Sequence, residues 1–161
     1  MSISKPADAA LSGASERSWT CVLAGSALFW CGLLIGVSFL ATPAKFLAPS
    51  LSMPVALDVG RQTFAVFNRT ECVLLVATAI VWLLSARGRT TGVLLVMTSA
   101  IVLLETLWLL PLLDARVGLI IAGQTPPASS LHSGYVVLEA VKAIALLATG
   151  IIAANATLRA K

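Results

Sequence analysis

Four apolar runs divide the chain: Thr20–Ala41, Thr70–Ala86, Gly92–Leu113, and Tyr135 to about Thr157. A helix rising 1.5 Å per residue needs about 20 apolar residues to cross a ~30 Å hydrocarbon core. Three runs are that long. The second has 17 residues, and Phe64, Val66 and Phe67 extend it outward. Backbone polar groups in lipid must be satisfied within the segment, so the runs predict helices. A membrane barrel would instead show short alternating segments. The expected fold is an all-α integral membrane protein, an antiparallel four-helix transmembrane bundle. Its domain covers residues 19–158, with spans near 20–41, 64–86, 92–113 and 135–157.

The polar segments complete the outline. Residues 1–18 carry Lys5, Asp8, Glu16 and Arg17 among Ala, Ser and Gly. The run that follows this polar lead is too long for the h-region of a cleaved signal peptide, and residues 1–18 read as a flexible cytoplasmic tail. Residues 42–63 form an outer loop in which Pro43, Pro49 and Pro54 break helix. From Val55 the loop predicts an interfacial helix, with Val55, Val59, Val66 and Phe67 set against Asp58, Arg61 and Gln62. The second outer loop, Asp114–Gly134, holds Gly123 and Pro126-Pro127, which mark turns, and Ser130 as a cap for the last helix.

Composition agrees: of 161 residues, 58% are hydrophobic and 11% charged, far below the charge of a soluble domain. The net charge of +4 orients the chain rather than marking a nucleic-acid partner. Lys5, Arg17, Arg87, Arg89, Arg159 and Lys161 fall on one side; Lys45, Arg61, Arg69 and Arg116 fall on the other. Six against four predicts a multi-pass protein of the plasma membrane, a bacterial inner membrane, with both termini cytoplasmic. The lipid bilayer is its first partner.

Candidate chemistry is sparse. Ionisable residues within spans cost about 2.5–3.5 kcal/mol each, so they are expected to face inward and pair. Glu71, Glu105, Glu139 and Lys142 are such residues, and they form a predicted intramembrane polar cluster. Glu139 and Lys142, three apart, share a helix face. Arg61, Asn68, Arg69, Arg116 and His132 are expected at the outer mouth of the bundle. Gly25, Gly32 and Gly36 mark a helix-packing face, and a homo-oligomer is a further expected partner beside the bilayer. Cys21, Cys31 and Cys72 have no paired spacing and read as buried, inert thiols. Trp19, Trp30, Trp82 and Trp108 read as aromatic anchors. No catalytic constellation or metal-ligand spacing stands out, and nothing identifies a cofactor. Asn68-Arg69-Thr70 and Asn155-Ala156-Thr157 match the glycosylation pattern, the second on the cytoplasmic side.

Gly32-Leu-Leu-Ile-Gly-Val-Ser-Phe-Leu-Ala-Thr-Pro-Ala-Lys-Phe46 resembles the opening helix of the transmembrane protein 205-like family, which includes bacterial four-helix membrane proteins with a domain of unknown function. The likeness continues through Val59–Arg69, Leu110–Arg116 and Leu131–Lys142, and its order and spacing cover most of residues 20–158. It implies a multi-spanning membrane protein without an assigned reaction. Val59, Arg61, Ala65, Asn68 and Glu71 are also spaced like the second helix of the four-helix membrane glutathione and eicosanoid enzymes. That family's Arg- and Tyr-rich later helices have no counterpart, since Leu94–Leu113 contains no Arg. Two functions follow. One is ion or small-solute handling through the Glu/Lys cluster, or a structural membrane subunit. The alternative is a membrane-embedded glutathione-dependent enzyme acting on a lipophilic substrate.

Overall fold

The structure, a computed structural model, describes residues 6–159, with side chains from Gly13 to Arg159. Four long helices account for nearly all of it. Helix α1 runs over residues 6–47, α2 over Met53–Leu84, α3 over Arg89–Ile121 and α4 over Leu131–Arg159. All four are long and apolar enough to cross a membrane. Each packs on the next in sequence, and α4 closes the set against α1.

The helices overrun the apolar runs at both ends. Residues 6–18, expected as a tail, continue α1 outward, while Lys5 and the rest of that lead lie outside the described residues, as does Lys161. The interfacial helix is not separate: it is the first part of α2, unbroken from Met53. Pro54 sits in the first turn of α2, where its missing N–H costs nothing. Pro43 does not end α1 either. It lies in Thr42–Ala44, directly after a π-helical stretch, Ile35–Ala41. Pro111 lies just after a second π-helical stretch, Glu105–Leu109. A helical proline removes one hydrogen bond and presses on the carbonyl four residues back. Here those carbonyls belong to Phe39 and Leu107, inside the widened turns. The π turns absorb the prolines and keep both helices continuous.

Burial is inverted relative to a water-soluble bundle. Val66, Val73 and Val76 of α2, Val96 and Leu107 of α3, and Ile144 of α4 face outward. Thr20, Thr78, Thr91, Thr98, Thr149 and the four charged residues of the spans are buried. The apolar core at mid-height joins Trp30, Cys31 and Leu34 to Phe67, Val102 and Leu146. A second cluster, Leu23, Ala24 and Ala153, knits α1 to the far part of α4. Of the three cysteines, Cys31 is buried, Cys72 half-buried and Cys21 exposed, so burial does not extend to all three thiols. Trp30 is also no interfacial anchor, since it is wholly buried.

The glycine face of α1 is not a seam within the chain. A Cβ at Gly25, Gly32 or Gly36 would meet nothing within 4 Å. The close approach is at Gly150 of α4, where a Cβ would lie 2.6 Å from Leu28 Cγ and 3.4 Å from the Ala24 carbonyl oxygen. Gly150→Ala should therefore lower stability by about 1–3 kcal/mol through overpacking. Gly25→Ala should leave it unchanged or raise it by about 0.5–1 kcal/mol, as expected for an open helical site. Thermal unfolding of both variants in detergent checks the contrast.

Candidate functional site

Glu71, Glu105, Glu139 and Lys142 come from three helices and meet in one cluster, each 1% exposed or less. Glu105 lies sixteen residues from either end of α3, so the cluster sits at mid-height. Lys142 Nζ donates to Glu71 Oε2 at 2.9 Å and to Glu105 Oε2 at 2.6 Å. It also pairs with Glu139 Oε1 at 2.5 Å. The ammonium thus stands among three carboxyl groups whose oxygens lie within 4.8 Å of one another.

Two neutral side chains of α1 finish the cluster, and sequence reading missed both. Trp30 Nε1 donates to Glu71 Oε1 at 3.0 Å. Ser38 Oγ donates to Glu139 Oε2 at 2.6 Å. The π stretches deliver two of these groups: Ser38 lies in the first, and Glu105 opens the second. Widened turns of this kind recur at functional sites because they turn a side chain that a regular helix would point elsewhere.

Charge balance describes what the cluster can hold. Three carboxylates against one ammonium leave two negative charges, which a dry interior does not tolerate unpaired. Two protons would neutralise the cluster; so would a divalent cation, since three close carboxylates are a fitting oxygen set. Lys142 Nζ already occupies the centre of that set, so a metal would have to displace it. Glu105 Oε1 has no hydrogen-bond partner among the described residues. Glu139 Oε1 touches Lys142 without hydrogen-bond alignment.

The cluster borders a cavity of about 880 Å³. Glu139, Ser38 and Tyr135 line it deep in the bundle. Its walls are largely apolar, and Arg61, Asn68, Arg69 and His132 line it together. Arg116, expected with them, is not part of the lining. Lys45 and Asp114 are, and neither stood out in the sequence. Arg61 is engaged by Asp58 at 2.8 Å and by Asp114 at 3.8 Å. Asn68 donates to Thr106 Oγ1 at 2.9 Å from within α2, which is no setting for a glycan. Asn155 is likewise helical. Tyr135 is buried and meets the Phe64 ring edge-on at 5.0 Å.

The residues spaced as in the glutathione enzymes are committed inside the chain: Arg61 to two aspartates, Asn68 to Thr106, and Glu71 to Lys142 and Trp30. In comparisons with known proteins, no family model, no curated protein and no solved structure matches the chain.

Proposed function

We propose that the protein is an antiparallel four-helix transmembrane bundle that handles an ion or a small solute through the cavity ending on its Glu/Lys cluster. The observation that carries this reading is the position of Glu139 and Ser38, which belong to the cluster and also line the cavity. Half-buried Ser38 stands between the cavity and the buried carboxylate of Glu139, so the cavity reaches the edge of the cluster. Volume agrees, because 880 Å³ falls within the roughly 300–1,000 Å³ of small-molecule sites.

Antiparallel packing is supported by which residues meet. Arg17 reaches Thr157, Cys31 reaches Ala143 and Ser38 reaches Glu139, so rising numbers in α1 meet falling numbers in α4. Asn68 with Thr106 and Trp82 with Thr91 give the same order for α2 and α3. The basic bias supports a bacterial inner membrane with both termini cytoplasmic and the cavity mouth outside. In a Cys-less background, an impermeant thiol reagent on intact cells should label Ser129→Cys but not Gly13→Cys or Gly88→Cys. The reverse labelling would invert the orientation.

Access to the cluster is the test of function. In the same background, Ser38→Cys in lipid nanodiscs should react with a small water-soluble maleimide. Its rate should approach that of Ser129→Cys within about two orders of magnitude. A thiol at position 38 that stays unreacted in the folded protein would mean a sealed cluster and a structural role.

A further inference from the structure

The cavity has an unbalanced charge. Arg61 is held by two aspartates, and Glu139 is held by Lys142. Lys45, at the last turn of α1, is half-buried and has no ion-pair or hydrogen-bond partner among the described residues. Its ammonium lies 5.0 Å from the Phe46 ring centroid and 5.9 Å from that of Phe64. Gly60 of α2 makes room for it: a Cβ there would collide with Lys45 Nζ. An ammonium over two aromatic rings, with no carboxylate among the described residues within ion-pair distance, is a cation held ready for an anion. Below it the walls are apolar, with Phe39, Leu110 and Val136, and Leu57 lines the cavity beside it.

We infer that this cavity takes a single-chain amphipathic anion, with its headgroup on Lys45 and its alkyl body along those walls. The inference rests on the solute-handling reading and names its substrate class. At the level of Lys45 a cationic amphiphile finds no free carboxylate, because Asp114 is engaged by Arg61, and Glu139 lies deeper, in the cluster. Arg69, exposed and also in the lining, adds a further positive charge to the cavity. A two-chain phospholipid bears the same anionic chemistry, and nanodiscs of phosphatidylglycerol distinguish it from a free single-chain acid.

The experiment follows maleimide reaction of Ser38→Cys in nanodiscs of zwitterionic lipid, with Leu57→Cys as a second reporter in the same cavity. Dodecanoate should slow both reactions, and dodecylammonium should not. Lys45→Gln should weaken the protection by dodecanoate roughly tenfold or more, as expected for losing a charged hydrogen-bond partner. Lys45→Arg should restore most of it. Gly60→Ala, which keeps the charge but displaces the ammonium, should weaken protection as Lys45→Gln does. Equal protection by both amphiphiles, or protection unchanged in Lys45→Gln, overturns the inference while leaving the cavity intact. Protection by phosphatidylglycerol nanodiscs alone, without dodecanoate, overturns the free-acid assignment in favour of a membrane lipid. Failure of both reporters to react at all refutes the solute-handling reading itself.

Discussion

Replacing Lys142 with methionine should destabilise the protein more than any other single charge change. Three carboxyl groups lie within 4.8 Å of one another, and one ammonium separates them. Breaking a buried pair by removing one partner typically costs about 3–5 kcal/mol, because the remaining charge is left uncompensated. Here three acids are stranded together, and they can relieve the repulsion only by binding protons. The double variant Glu139→Gln with Lys142→Met removes one acid along with the ammonium and supplies an amide that can donate to its neighbours. It should be more stable than Lys142→Met alone. Thermal unfolding in detergent at neutral pH decides the order. A double variant no more stable than the single would show that Glu139 and Lys142 are not coupled, despite standing three residues apart on one face.

Trp30→Ala should be the most damaging apolar truncation, at about 3–5 kcal/mol, since the indole is fully buried against Leu34, Phe67, Val102 and Leu146. Trp30→Phe separates its two contributions. Phenylalanine retains most of the ring but loses the N–H that donates to Glu71 Oε1. That change should cost about 1–3 kcal/mol, the penalty for an acceptor left without its donor. In a Glu71→Gln background the Trp30→Phe effect should shrink, because the partner is no longer a carboxylate. A silent Trp30→Phe beside a severe Trp30→Ala would reduce the indole to a space-filler.

The spans and the charged cluster were legible in the sequence for one reason: both carry a large energetic penalty for being elsewhere. Runs of seventeen to twenty-three largely apolar residues have few homes outside a membrane, and Glu105 or Lys142 within such a run must turn inward. Helix ends were not legible. Asp58, Arg61 and Gln62 look like a loop or a surface helix, yet past the hydrocarbon edge polar residues can simply continue the helix, as they do in α2. The neutral partners were hidden too. Trp30 resembles any span tryptophan and Ser38 any span serine, because their roles depend on which helix lies opposite. Lys45 read as a loop cation, and only the fold places it against Gly60 and two aromatic rings. A signal for the π turns was present but ambiguous: Pro43 and Pro111 are equally compatible with a broken helix.

Those two wide turns also set the phase of everything beyond them. Successive residues on an α-helix are separated by about 100° around the axis, and a π stretch amounts to one residue more than the α-helical path requires. Excising a single residue between Ile35 and Ala41 would let that stretch close to ordinary α-helical pitch. Thr42, Lys45 and Phe46 would then keep their direction relative to Trp30 and Leu34, because the residue removed is the one the wide turn absorbs. Closing the same stretch to α-helical pitch with every residue kept would instead rotate them by about a third of a circle, turning the cavity-lining side chains of α1 away from the cavity. The cavity mouth and the Ser38 contact to Glu139 thus depend on the width of that turn as much as on the side chains that line it.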